Sequence, residues 1–284
     1  MKTILVPTDY SAPSKNAAIF AINLAFQLKV ENVILYNAYQ ASPVITENPV
    51  MPAATTPFLD IETLREISDA GMKHFKQSIE NFCPAGVKIE ELTEFAALDN
   101  DVNDLAEKTQ TDLIVTGITG TGKIEEILIG STALNVVKNT KIPVIIVPSD
   151  ARYTSIKNVM LACDYKNVVE TIPVQPIKNI LDATKADLYI LNVYESDKEI
   201  TSAKTYQQEL LHSLLKKYEP QFHFEHNKDF LTCLNDFVEA NNIDLIITIP
   251  KRHGFFESLF REGHTKRLAF HSHIPLMCIH HQDL

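Results

Sequence analysis

The chain of 284 residues has no tryptophan, only eight glycines and only four cysteines. Cys83, Cys163, Cys233 and Cys278 stand far apart with no CxxC pair, which argues against a disulfide framework or a zinc site and fits reduced, buried thiols in a cytoplasmic protein. Positive charge is also scarce. Against 36 Asp and Glu there are 26 Lys and Arg, giving a formal net charge of −10 and a pI near 5.5. General nucleic-acid or acidic-membrane binders are normally basic, so neither partner is expected. No apolar run approaches the roughly 18 residues of a membrane span, and none is expected. The opening MKTILVPTDYS lacks the long apolar core and small-residue cleavage site of a signal peptide. What is present, 45% apolar and 22% charged residues, is ordinary for a globular chain, and its length suits about two domains.

The sequence reads twice. DLIV at 112–115 is echoed by DLII at 244–247, and KIPVIIVP around Pro143 by HIPLMCIH around Pro275, at a constant offset of 132 residues. KTILVPTDYS at 2–11 is echoed by KNVMLACDYK at 157–166, which sets Asp9 against Asp164. The first copy is longer, and its surplus falls at 41–59. That segment holds four of the fourteen prolines, Pro43, Pro49, Pro52 and Pro57. So much proline bars a helix or a central strand and leaves a long loop, either a lid or interaction arm or a plain surface excursion.

Apolar periodicity alternates between strand and helix in both copies. The first copy reads as strand 2–7, a helix from about residue 12, strand 33–39, a helix near 60–82, a weaker strand 87–95, helix 100–109, strand 112–117, helix 130–139 and strand 143–148. Ser11 is the expected cap of the first helix, with Pro13 in its first turn and Ala17, Phe20, Ala21, Leu24 and Leu28 as its apolar face. Phe75, Ile79 and Phe82 are expected on one face of the second. The second copy reads as strand 157–163, helix 170–184, strand 187–194, helix 199–219 with Leu210, Leu214 and Tyr218 on one face, strand 221–226, helix 229–241, strand 244–249, helix 262–271 and strand 274–280. This pattern predicts an α/β fold of two tandem, doubly wound, five-stranded parallel-sheet domains of Rossmann-like type, spanning 1–150 and 151–284. Ligands of such sheets bind beyond the C-terminal strand ends, which points to Pro7, Thr8 and Asp9, to Ala38, and to the loop from Thr116 onward.

Four of the eight glycines crowd into that last loop: Gly117, Gly120, Gly122 and Gly130. Bare backbone lets an anion approach, and Gly130, Ser131 and Thr132 stand where a helix begins and free N–H groups favour phosphate. In the plainer alternative Gly117 and Gly120 make a tight turn and Ser131 only caps a helix. Gly117-x4-Gly122-Lys123 has the outline of a P-loop, but Ile124 stands where Ser or Thr would ligate Mg²⁺. Neither Ser131 nor Thr132 has a visible His or Asp partner, so neither is expected to act as a nucleophile and hydrolysis of a bound phosphate ester is expected to be weak at most. Histidines gather late in the chain, at 253, 264, 271, 273, 280 and 281, yet adjacent strand histidines face opposite ways and no tight ligand spacing occurs, so no metal site is expected. Phe255, Phe256, Leu259 and Phe260, beside Arg261, Lys266 and Arg267, either fill space in the second copy or form a partner surface.

Gly117-x2-Gly120-x9-Gly130-Ser131, with PTDYS at 7–11 and the closing KIPVIIVP, resembles the universal stress protein family, and the resemblance runs along nearly the whole chain as two copies. It implies binding of ATP or a related adenine nucleotide, ADP or AMP, with or without Mg²⁺. Pro7, Thr8, Asp9 and the backbone near Ala38 would lie at the adenosine end. Thr116, Gly117 and Gly120 would border the ribose and first phosphates, and Gly130, Ser131 and Thr132 would hold the phosphate tail. Members commonly dimerise through the last strand, which here implies an internal pseudo-dimer of 143–148 against 274–280, with a further homodimer open. At the repeat offset Gly117, Gly120, Gly130 and Ser131 become Ile249, Arg252, Glu262 and Gly263. One nucleotide site is therefore expected, in the first copy, while the second is structural, regulatory or adapted to another ligand. The implied role is a cytoplasmic stress-response sensor or adaptor, in which nucleotide stabilises a loop arrangement that a protein partner recognises. The alternative is a ligand-free interaction protein.

Overall fold

The uninterrupted apolar run after Lys2 forms β1 (Thr3–Pro7), buried along its whole length as a strand covered on both faces must be. In the computed structural model, residues 1–40, 60–96, 98–118, 131–194, 201–227, 229–250 and 273–280 are described. Ser11 caps α1 (Ala12–Leu28), accepting the Ser14 amide, with Pro13 in the first turn and Lys29 closing the helix in the left-handed region. Ala17, Phe20, Ala21, Leu24 and Leu28 are all buried. There follow β2 (Asn32–Tyr39), α2 (Ile61–Gln77, capped by Asp60), β3 (Lys88–Phe95), α3 (Leu98–Lys108), β4 (Leu113–Ile118), α4 (Ser131–Asn139) and β5 (Val144–Pro148). The rest of the chain forms β6 (Asn158–Ala162), α5 (Val168–Thr171), α6 (Val174–Thr184), β7 (Asp187–Tyr194), α7 (Ser202–Leu215), β8 (Gln221–His226), α8 (Phe230–Ala240), β9 (Leu245–Thr248) and β10 (Leu276–Cys278).

Three helices depart from the sequence expectation. α2 stops at Gln77, so that of the three expected face residues only the buried Phe75 lies on it; Ile79 is buried just beyond its end, and Phe82 lies in a 3-10 turn, half exposed. Pro84 holds Cys83 extended and so ends the helical run. The helix expected over 170–184 is broken into α5 and α6, because Ile172, which precedes Pro173, is extended at φ −101° and ψ 109°. α7 ends at Leu215; its Leu211 and Leu215 are buried, while Leu210 and Leu214, together with Tyr218 in the 3-10 turn that follows, pack at the margin of the core. The Pro-rich segment 41–59 and the helix expected at 262–271 lie outside the described residues.

Among the described residues ten strands form one sheet in the order β3-β2-β1-β4-β5-β10-β9-β6-β7-β8. The first five strands and the last five thus follow the same order. Every pairing is parallel except the central seam, where β5 and β10 run antiparallel with Met277 opposite Ile145. Helices cover both faces. One core takes residues such as Phe20, Leu24, Phe75, Ile177 and Leu211, and the other takes Leu105, Val136, Leu234 and Phe237. Each core extends across both halves. The connection after β5 is tied to α1: Asn16 donates to the Pro148 and Ala151 carbonyls, both at 3.0 Å, and Gln27 exchanges two 2.9 Å bonds with the backbone of Ile156. All four cysteines are free, with Cys163, Cys233 and Cys278 buried. Among the described residues no helix is long and apolar enough to cross a membrane.

Candidate functional site

The chain leaves β1 for β2 on one side and later crosses to β4 on the other, so β1 and β4 flank a topological switch point. Pro7, buried, ends β1 opposite Tyr36. Thr8 is buried as well. Its amide donates to the Tyr36 carbonyl at 2.8 Å and its hydroxyl to Ser14 Oγ at 3.0 Å. Asp9 is exposed, and its carboxylate accepts the Ser11 amide at 3.0 Å. Partial burial works to raise the Asp9 pKa, but hydrogen bonds from Ser11 and Ser14 outweigh it and hold the carboxyl below its ordinary value. A fixed, ionised carboxylate at a strand end is an acceptor for the hydroxyl or amino donors of a bound molecule.

The next residue is held with equal care. Tyr10 sits at φ 65°, a left-handed conformation uncommon outside glycine. Its amide donates to Thr8 Oγ1 at 3.0 Å and its hydroxyl to the Ser68 carbonyl of α2 at 2.8 Å. The ring lies over Gly71, where an added Cβ would come within 2.7 Å of it, and 5.8 Å from the Phe75 ring. The Ser68 hydroxyl donates to Asn37 Oδ1 at 2.8 Å, and Asn37 Nδ2 donates to the Thr8 carbonyl at 2.7 Å. The glycine motif gives no hint of Tyr10, Asn37 or Ser68. The repeat does, for an asparagine inside an otherwise apolar strand recurs as Asn192, and the pair Asp9-Tyr10 recurs as Asp164-Tyr165.

Ala38 follows Asn37 on β2, half-buried opposite Glu94. Thr116 is buried in β4 opposite Ile146, and Gly117 stands opposite Val147. A Cβ on Gly117 would lie 2.4 Å from the Pro13 carbonyl oxygen and 3.1 Å from the Ser14 nitrogen. Gly117 is not left-handed, so space rather than φ freedom requires glycine there: it admits the first turn of α1 against β4. Ser131 and Thr132 open α4, which packs through Ala133, Val136 and Val137. The ends of β2, β1 and β4 thus bring Ala38, Pro7, Thr8, Asp9, Thr116 and Gly117 to neighbouring positions. Gly120 and Gly130 lie outside the described residues.

The second half repeats three bonds of the first loop. The Cys163 amide donates to the Leu191 carbonyl at 3.0 Å, Asn192 Nδ2 to the Cys163 carbonyl at 2.7 Å, and the Lys166 amide to the Asp164 carboxylate at 3.1 Å. Tyr165 is left-handed too, at φ 53°. The differences lie around this frame. Ile249, at the end of β9, carries a side chain where Gly117 has none and packs onto the core face that α1 and α6 share. A helix start placed like that of α1 would collide with it, and the chain after β6 instead passes through α5 and Pro173 before α6 begins. Arg252, Glu262 and Gly263 lie outside the described residues.

The profile of the Universal stress protein family matches residues 1–148. The universal stress protein MJ0531 of Methanocaldococcus jannaschii is 36% identical over 146 residues, covering 51% of this chain and 81% of that protein. Among solved structures, a universal stress protein from Archaeoglobus fulgidus superposes with a TM-score of 0.72 at 18% identity, covering 98% of both chains. A putative universal stress protein from Pseudomonas aeruginosa gives 0.59 at 11% identity, covering 99% of this chain and 93% of that one. Those two likenesses concern the fold across the full length, whereas the profile and the archaeal relative concern sequence. On these grounds the chain belongs to the universal stress protein family.

Proposed function

We propose that the chain binds ATP or a related adenine nucleotide once, in residues 1–150, and acts as a stress-response sensor or adaptor, and that residues 151–284 form a degenerate second domain of the same family. The reading rests above all on the outward, ionised Asp9 carboxylate fixed at the switch point beside the glycine-bearing end of β4. Asp9 would accept hydrogen bonds from the nucleoside, next to the backbone around Ala38. Gly120, Gly130, Ser131 and Thr132 would supply main-chain amides and hydroxyls to the phosphates, aided by the positive end of α4. Gly117 would serve indirectly, by seating the α1 turn whose Ser11 and Ser14 hold Asp9. The Asp164 carboxylate accepts a loop amide as Asp9 does, but Ile249 stands at the Gly117 position of the second half.

Calorimetric titration of the full chain with ATP tests this. One site per chain is expected, with Asp9→Ala weakening it roughly ten- to hundredfold, the worth of a hydrogen bond to a charged group. No heat at millimolar ATP, or two equivalent sites, refutes the assignment. Nucleotide carried through purification and identified by mass decides between ATP, ADP and AMP.

A further inference from the structure

We infer that Tyr10 is a positioning residue that couples the Asp9 loop to α2, so that a ligand held at Asp9 stiffens α2 and α2 in turn sets the loop. The first statement rests on the nucleotide reading above. The second does not.

The geometry is a closed ring of hydrogen bonds. It runs from the Tyr10 amide to Thr8 Oγ1, from the Thr8 carbonyl to Asn37 Nδ2, from Asn37 Oδ1 to the Ser68 hydroxyl, and from the Ser68 carbonyl back to the Tyr10 hydroxyl. Three separate elements, the loop after β1, the strand β2 and the helix α2, are each entered once. Asn37 and Ser68 use their polar groups on this ring, and Ser68 is buried. The left-handed Tyr10 backbone carries a conformational cost, and Ser68, Gly71 and Phe75 of α2 hold the side chain that it aims at the helix. Asp9 and Ser11, which flank Tyr10, cannot shift without rotating the phenol off α2.

The second half is an internal comparison in which the same tie is cut. Tyr165 keeps the left-handed backbone and Asn192 keeps its bond to the carbonyl of the loop. Yet among the described residues the buried Tyr165 hydroxyl and Asn192 Oδ1 have no hydrogen-bond partner, and the Tyr165 ring stacks on Phe224 of β8 at 5.6 Å. α7 engages the region differently, with the Gln207 side chain accepting the Val168 amide at 2.8 Å. The repeated parts are therefore those that shape the loop. Among the described residues, the bonds from the tyrosine hydroxyl and the asparagine Oδ1 to a helix occur in the first half alone.

Hydrogen exchange of the full chain, read by peptide mass, tests the coupling. Without ligand, Ser68→Ala should speed exchange at the amides of 10–14, and Tyr10→Phe at those of 68–75, each by roughly three- to tenfold, about the worth of one hydrogen bond. No change at the distant element in either variant overturns the coupling. With ATP at saturation, filling being checked by calorimetry, the wild-type chain should slow in both the loop and α2. Tyr10→Phe should slow in the loop only, and equal slowing of α2 in both proteins overturns the ligand-driven part. A purely structural role for the phenol would change the ligand-free rates and leave that ATP-induced difference intact. If the wild-type chain takes up no ATP, the nucleotide reading falls, and the ligand-free comparison still decides whether loop and helix are joined.

Discussion

Replacing Gly117 with alanine adds a single methyl group at a place where the structure leaves no room for one. The new Cβ would meet the Pro13 carbonyl oxygen at 2.4 Å and its carbon at 2.7 Å, both backbone atoms of α1. Carbon does not rest that close to oxygen, so the first turn of α1 or the end of β4 must move by about an ångström to restore contact distance. Neither moves freely. α1 buries Ala17, Ala18, Phe20, Ala21, Ile22, Leu24, Ala25 and Leu28, and is pinned to the connection after β5 by Asn16 and Gln27. β4 is hydrogen-bonded on both sides, to β1 and β5. Overpacking of this kind costs roughly 1–3 kcal/mol, and with main chain on both sides of the clash we expect a loss of about 2–3 kcal/mol. Urea unfolding at equilibrium, followed by far-UV circular dichroism, measures it as a lowered midpoint at unchanged slope. ATP affinity should fall as well, because the displaced turn carries Ser11 and Ser14. A variant within about 0.5 kcal/mol of wild type, the usual range for an innocuous surface change, would mean that α1 is not pressed against β4 and that Gly117 has another purpose.

Two further substitutions probe buried polar groups. Tyr165→Phe removes a hydroxyl that is buried without a partner, and should leave stability unchanged or raise it by up to about 1 kcal/mol, whereas a clear loss in urea unfolding would reveal a hidden partner. His280 is 6% exposed beyond β10, and burial pushes its pKa below 6.5, with the Val137 backbone pulling partly back. The unfolded chain therefore binds a proton that the folded chain resists. The stability this represents is fully present above pH 6.5 and is lost as pH falls toward the lowered folded value. Urea midpoints measured from pH 7.5 down to pH 5 should fall more steeply for wild type than for His280→Phe, and parallel curves would refute the assignment.

Much of the fold can be read from the chain itself because parallel strands buried on both faces are continuous apolar runs, and β1, β4, β5 and β6 all have that character. Two of the three helix errors lie beside prolines. Pro84 and Pro173 act on the residue before them, a local steric effect that an apolar periodicity spanning several turns averages away. At the site, glycine spacing singles out the end of β4 but gives no sign of the crowding at Gly117. Its requirement comes from the Pro13 backbone, about a hundred residues away in sequence, and such long-range crowding leaves no local trace. Asn37 and Tyr10 were legible in principle: each recurs in the second copy at the same place relative to its aspartate. Ser68 was not, because its importance depends on which face of α2 meets the loop, and the second copy has no equivalent bond to mark it.

The antiparallel seam between β5 and β10 has a consequence for how such a chain can change over time. When two identical subunits meet along an edge, every substitution appears twice, and a residue needed on one side is protected on the other. Here the two strands that meet at the seam belong to a single polypeptide, so the halves on either side need not match: Gly117 on one side stands against Ile249 on the other at the same sequence offset, and the chain after β6 passes through α5 before the long helix begins, as the chain after β1 does not.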